Sequence, residues 1–287
     1  MKVNVLSSIV LFIFLIALSN QNPIHFQVID LTHYLNNQSH AWFEDRRVAI
    51  RTLYNGTKNF GQTPVWYQTD EIEVSVHSGT HIDAPAHFGQ GKWSISDIPL
   101  TNLIDKRVAV IDVVNEVNSN RDHQVNEFEI QRNEQLYGRI PAEAVVLLRT
   151  GWSRYWISRE NYFGTATNDS SQLHFPGNSS SINYLLISYV VAGLAPSAAK
   201  WLVQNRNIVG VGIEGPSIDF GQTRTVESHT VLAAANKFII ENLNSNMNRL
   251  PFRGATITVA PLNLDHGSGS PSRVWVKNPL QVINHIG

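Results

Sequence analysis

The sequence predicts a single α/β domain in which helices pack on a mixed β-sheet. Three observations lead there. First, the apolar runs Arg107–Val114 (R-V-A-V-I-D-V-V), Ala144–Thr150 (A-V-V-L-L-R-T) and Ile208–Ile213 (I-V-G-V-G-I) are continuous, as strands buried on both faces are. Second, strand and helix patterns alternate only in the middle of the chain, and toward its ends strand follows strand, which argues against a regular doubly wound sheet. Third, no internal repeat and no interdomain linker divides the 287 residues. With 43% apolar residues the chain can bury a sizeable core.

In chain order, Phe26–Leu31 (F-Q-V-I-D-L) reads as a first strand and His33–Asp45 as a polar loop carrying Trp42 and Phe43. Glu71–His77 alternates strictly, with Ile72, Val74 and Val76 on one side, and predicts a half-buried strand. After the buried strand at Arg107–Val114, Asn115–Gln124 reads as a loop and Glu127–Tyr137 as a short helix. Residues 158–182 are rich in Asn, Ser, Thr and Gly and form a surface excursion. Pro196–Asn205 begins with the proline that suits a first helical turn. A helical pattern covers His229–Asn242, a last core strand covers Ala255–Ala260, a Gly/Ser loop spans Gly267–Pro271, and Arg273–Val276 closes the sheet.

Residues 1–20 read as a signal peptide, and residues 21–287 as the folded domain. Lys2 gives the positive start, Ile9–Leu18 is apolar, and Ala17-Leu18-Ser19 supplies small residues for cleavage. That run is short of the roughly 20 residues a membrane span needs, so a secreted, extracellular chain without a stable span is expected. Sequons at Asn37, Asn55, Asn168 and Asn178 fit export and N-glycosylation. Cysteine is absent, so disulfides cannot brace the chain and any metal must be held by His, Asp and Glu. A net charge of −1 without a basic run gives no attraction to nucleic acid.

The chemistry concentrates in Val76–Phe88, V-H-S-G-T-H-I-D-A-P-A-H-F. His77, His81, Asp83 and His87 stand there around a glycine and a proline, so the stretch is not a regular helix and can turn on itself. Imidazoles with a carboxylate are donors for a divalent metal such as zinc or manganese. No G-x-S-x-G elbow is present, which argues against serine-type hydrolysis.

H-S-G-T-H-I-D-A-P-A-H resembles the H-x-G-T-H-x-D-x-P-x-H signature of the cyclase family of metal-dependent hydrolases, which includes bacterial-type kynurenine formamidases and isatin hydrolases. L-L-R-T-G-W (Leu147–Trp152), V-G-V-G-I-E-G-P-S-I-D (Val209–Asp219) and G-S-G-S-P are similar to further family blocks. The resemblance implies the swivelling β/β/α fold and a homodimer. It implies His77, His81 and Asp83 as metal ligands and His87 as the catalytic histidine. It also implies a second pair, His229 and, twelve positions on, Glu241. On one uninterrupted helix these two would lie about 18 Å apart, so they meet only if the helix starts after His229 or stops before Glu241. A carboxylate at 241 resembles the two-metal formamidase arrangement, in which Asp83 can bridge; one ion or two, zinc or manganese, stay open.

A bound divalent ion lowers the pKa of its water from 15.7 to about 7 and polarises an amide carbonyl. The implied reaction is attack of that hydroxide on a small N-aryl amide, with His87 passing a proton to the leaving nitrogen. His87 has alternatives, a further ligand or an orienting residue. The formamidase reading takes N-formylkynurenine to kynurenine and formate, as in tryptophan catabolism; the alternative opens isatin to isatinate. Other aryl amides or esters, and a non-catalytic secreted metal-binding relative, remain as readings. Trp42 is the first candidate for an aromatic substrate slot, ahead of Trp66, Tyr67 and Trp93.

Overall fold

The computed structural model describes residues 25–42, 45–121, 123–165, 193–221, 223 and 225–280. The signal-peptide segment 1–20, the sequons at Asn168 and Asn178, and most of the 158–182 excursion lie outside the described residues.

Twelve strands are found among the described residues. β1 is Phe26–Asp30, β2 Ala49–Phe60, β3 Thr63–Glu73, β4 His81–Asp83, β5 Lys106–Asp112 and β6 Gln124–Val125. β7 is Ala144–Arg149, β8 Gly193–Leu194, β9 Ile208–Ile213, β10 Phe238–Glu241, β11 Thr256–Pro261 and β12 Gly269–Pro279. The α-helices are α1 Leu100–Leu103, α2 Val114–Ser119, α3 Glu127–Tyr137, α4 Arg159–Phe163, α5 Pro196–Asn205 and α6 Glu227–Ala234.

The main sheet runs β1-β12-β11-β5-β7-β9-β10-β4, and β4 pairs again with β12. Seven strands therefore close into a barrel, with β1 appended along β12. β5, β7, β9 and β10 are parallel neighbours, and the remaining pairs are antiparallel. The mixed α/β domain is as expected; its closure is additional. Alternation explains the continuous apolar runs. Val108 and Val110 of β5 point into the barrel with Val145 and Leu147, while Ala109, Ile111, Val146 and Leu148 meet α3 and α5 outside. A Cβ on Gly210 would come within 2.3 Å of the Phe238 ring, so that ring fills the space a side chain would need. The helices begin and end on sequence signals. Asn126 caps α3 by accepting from the backbone of Phe128 and Glu129, Glu129 reaches back, and Gly138 ends the helix at φ 86°.

Four expectations need correction. The helical pattern at His229–Asn242 breaks: α6 ends at Ala234, Asn236 turns at φ 53°, and Phe238–Glu241 is strand β10. Asn is among the residues that adopt a left-handed turn easily, and F-I-I pairs in parallel with Gly210–Gly212. The expected half-buried strand at Glu71–His77 is instead the end of β3, which stops at Glu73 and is mostly exposed. Its partner is β2, a hairpin strand the alternation did not reveal. The Asn115–Gln124 loop holds the short helix α2, and the Gly/Ser loop is already strand from Gly269. Among the described residues, no helix is long and apolar enough to cross a membrane.

Candidate metal centre and active site

β4 sets the geometry. Its middle residue Ile82 points into the barrel, so His81 and Asp83 on either side point outward, toward the helix layer. β10 lies antiparallel to it with Glu241 opposite His81. His229, in the first turn of α6, comes down on the same spot because the turn at Asn236 separates helix from strand. Its Nε2 lies 3.2 Å from Glu241 Oε1 and 3.5 Å from Asp83 Oδ2. The two residues that an unbroken helix would hold apart therefore meet.

Asp83 is the hub. Oδ1 lies 2.7 Å from His77 Nδ1 and 3.2 Å from His81 Nε2. Donor atoms of His81, Asp83 and Glu241 all fall within 4.8 Å of one another, and so do those of His77, Asp83 and His87. Asp83 belongs to both groups. His81, Asp83, His229 and Glu241 are buried, where unpaired charges are costly. Imidazoles and carboxylates converging without thiolates fit a zinc or manganese ion, and the carboxylate shared by two groups fits a second. His87 has its ring stacked on His77 at 3.9 Å.

Each donor is held from behind. His81 Nδ1 donates to the Gly79 carbonyl at 2.9 Å, which leaves Nε2 to face Asp83 and Glu241. The Asn242 amide donates to the same carbonyl at 2.7 Å, and the buried Tyr162 hydroxyl donates to Asn242 Oδ1. His229 Nδ1 donates to Asp219 Oδ2 at 2.6 Å, and Glu241 Oε1 accepts from the Ile218 amide. A Cβ on Gly269 would stand 2.6 Å from the His77 ring, so the glycine gives that ring its place.

The protonation of the cluster follows. Burial opposes charge on His81, but Asp83 and Glu241 outweigh it and raise its pKa to about 9. Burial likewise opposes charge on His229, and its bonds to Asp219, Asp83 and Glu241 carry it well above the ordinary range. Asp83, although buried, is held well below the usual carboxylate range by His81, His229 and His77. His87 goes the other way. Burial lowers it to about 4 against the pull of Asp83, with the neighbouring imidazoles adding to the fall. It is a neutral imidazole at pH 7.

A cavity of about 280 Å³ opens onto this cluster. Trp42, Phe88, Phe163 and Pro216 form its apolar wall, and His40, Asp45 and Ser217 its polar side. His40 Nε2 faces the Trp156 carbonyl at 2.8 Å. Of the aromatic candidates, Trp42 lines the cavity. Trp66 and Tyr67 lie on β3, away from it, and Trp93 packs against the barrel core. Sequence reasoning had not singled out Asp219, Asn242, Phe88 or Phe163 as site residues. Asp219 ends the stretch Val209–Asp219, and its carboxylate ten residues before His229 was the available signal.

A profile of the Cyclase family matches residues 29–220. An isatin hydrolase of Roseibium aggregatum is 32% identical over 213 residues, 72% of this chain and 73% of that protein. A kynurenine formamidase of Bacillus anthracis is 23% identical over 253 residues, 87% of this chain and 96% of that protein. Among solved structures, isatin hydrolase A from Ralstonia solanacearum superposes with a TM-score of 0.72 at 27% identity, covering 93% of this chain and 97% of that one. An isatin hydrolase bound to the product analogue thioisatinate gives 0.74 at 23% identity, a likeness of fold, over 96% and 99% of the two chains. The matched residues, the shared fold and the converging donors agree, and the chain belongs to the Cyclase family of metal-dependent hydrolases.

Proposed function

We propose that this chain hydrolyses a small neutral N-aryl amide bearing a carbonyl ortho to the nitrogen, with isatin-type ring opening as its reaction. The observation that carries the choice is the cavity lining: among the described residues it contains no Lys or Arg. A flat neutral bicycle needs none. N-formylkynurenine brings an amino-acid carboxylate, for which the lining itself holds no cation, Arg47 and Arg159 lying near His40 but outside it; Asp45 is placed to meet its ammonium group. The volume of about 280 Å³ is at the small end of ligand sites, about 300–1,000 Å³. The 32% identity to an isatin hydrolase supports the same reading.

A divalent ion held by His77, His81, Asp83, His229 and Glu241 would supply an acidified water and a Lewis acid for the amide carbonyl. The protein's own groups do the rest. Asp219 and the Gly79 carbonyl fix the imidazoles of His229 and His81 so that Nε2 of each faces inward. Trp42, Phe88 and Phe163 exclude water and receive the aryl ring. His87, stacked on His77 at the mouth of the cluster, would take a proton from the attacking water and return it to the leaving nitrogen. The signal-like N-terminus and the exposed sequons at Asn37 and Asn55 support an exported, glycosylated enzyme.

Isatin and N-formylkynurenine assayed side by side under saturating manganese and zinc test the proposal. Isatin turnover well above that of N-formylkynurenine is the expected result. Preferential cleavage of N-formylkynurenine would replace it with the formamidase reading, and turnover of neither would overturn both substrates.

A further inference from the structure

The hydrolysis gives no task to His40, which nevertheless lines the cavity. It is buried, at 6% exposure, inside a tier of rings. Tyr162 stacks on it with centroids 5.2 Å apart, and Trp156 and Phe163 meet it edge-on at 4.4 and 5.6 Å. Trp156 is held in turn by His33, stacked on it at 3.9 Å. The backbone is tied as well. The Gly79 amide donates to the His40 carbonyl at 2.8 Å, and Ala41 bridges to Ser78. The ring therefore has one place, beside the loop between His77 and His81.

Its tautomer is fixed too. A carbonyl oxygen only accepts, so Nε2, 2.8 Å from the Trp156 carbonyl, carries the hydrogen. In a neutral imidazole the other nitrogen is then an acceptor. Burial lowers the ring to about 4 against the pull of the Trp156 carbonyl, with Arg159 and Arg47 adding to the fall, so it is neutral at pH 7. Nδ1 has no partner among the described residues and is reached from the cavity. Other polar groups of the lining are committed. Asn242 donates to the Gly79 carbonyl and accepts from the Tyr162 hydroxyl, and Ser217 Oγ accepts from the Asp219 amide. Asp45 takes the Ser75 hydroxyl, and a carboxylate gives up more hydration than an imidazole when a neutral ligand covers it.

We propose that His40 selects secondary aryl amides, with Nδ1 accepting the substrate's N–H. The inference rests on the reading of the substrate as a small neutral aryl amide. The nitrogen that bears this hydrogen is bonded to the carbonyl carbon under attack, so the one contact fixes how the flat ring system is turned in the cavity. On ring opening the nitrogen keeps this hydrogen and gains its second from the returned proton, so the bond to His40 persists in the product. N-alkylated amides and the corresponding esters lack the hydrogen and would leave Nδ1 unpaired.

Isatin and N-methylisatin, in which a methyl group replaces this hydrogen, are the probes. The full, metal-loaded chain is mixed with each. Dissociation constants come from the rapid binding phase of stopped-flow fluorescence ahead of turnover, and kcat/KM from the steady state. The wild type should bind isatin at least about tenfold more tightly than N-methylisatin. His40→Gln keeps a donor for the Trp156 carbonyl and lacks the acceptor. It should weaken isatin binding about tenfold and leave N-methylisatin within about twofold, with circular dichroism and metal content unchanged. A gain for N-methylisatin alone would mean steric exclusion and overturn the proposal. So would a folded His40→Gln that keeps the preference, or a wild type that binds both probes equally, a result that needs no variant. A preference that depends on His40 without isatin turnover would support the proposal and overturn the ring-opening reading. Turnover without a preference would do the reverse, and isatin neither bound nor turned over would overturn both.

Discussion

At the floor of the site, His81, Asp83, His229 and Glu241 are buried and each faces a partner within the cluster. A short way back along the chain, β2 and β3 expose Ile50, Leu53, Phe60, Trp66 and Ile72 with no wall to lean on. In one region polar groups are hidden; in the other apolar groups are shown. Both arrangements cost free energy in an isolated chain unless something else is present. Buried donors converging on one point suit a cation, whereas Phe60 and Trp66 stay exposed on opposite faces of the β2–β3 hairpin.

The largest effect expected is at the hidden end of this contrast. His81→Ala should abolish metal binding and hydrolysis together, read by metal content and turnover; activity with the metal gone would break the reading of the cluster. His87→Ala should keep the metal and lower kcat by roughly 10²–10⁴-fold. Loss of metal in that variant would make His87 a ligand beside His77 and Asp83.

Stability sharpens the contrast next. Leu147 is fully buried in the barrel, and Leu147→Ala should cost about 2–5 kcal/mol in urea unfolding. Trp66→Ala, on the exposed hairpin arm β2–β3, should stay within about 0.5 kcal/mol of wild type. Equal losses would mean that the arm is packed by its own chain.

Smaller again is the effect of the residue behind His229. Asp219→Asn should weaken metal affinity by about 10–100-fold while leaving the fold intact, and a metal titration measures it.

The smallest effect is on pH. His81 has its pKa raised to about 9 in the metal-free cluster, so at pH 7 an incoming ion must displace its proton. Apparent affinity should therefore rise from pH 7 toward 9 and then level, with proton release seen by calorimetry in buffers of different ionisation enthalpy. The sign for folding is the reverse. A raised histidine pKa stabilises the metal-free protein fully below about 6.5, and that contribution is lost as pH climbs through about 9. Affinity that is flat with pH would mean that His81 already faces the ion unprotonated.

Much of this was legible in the residues, for definite reasons. Continuous apolar runs at β5, β7 and β9 report burial on two faces, and the closed barrel with its helix layer has two faces to bury. His77, His81, Asp83 and His87 were legible because they are close in sequence and broken by Gly79 and Pro85. What was missed depended on tertiary partners. Val231, Leu232, Ala235 and Phe238 keep a helical spacing across Asn236, and only the pairing of β10 with β9 and β4 makes the last of these a strand residue. The arm was hidden because both of its faces mix apolar and polar residues, so its alternation marks no inside. Asp219 accepts from the backbone amide and Nδ1 of His229, and Asn242 meets His81 at the shared Gly79 carbonyl, contacts that leave no periodic trace.

One feature of the barrel bears on the order in which the protein can be made. β4 is three residues long and is flanked on one side by β10 and on the other by Gly269–Pro271 of β12, near the far end of the chain. Until that last strand leaves the ribosome, His81 and Asp83 lie on a segment with an open edge, and the ring of His77 lacks the cleft that Gly269 provides. No thiolate is present to grip an ion sooner. A chain cut short before Gly269 would keep every candidate ligand residue and lose both the strand that pairs the second edge of β4 and the glycine that makes room for the His77 ring.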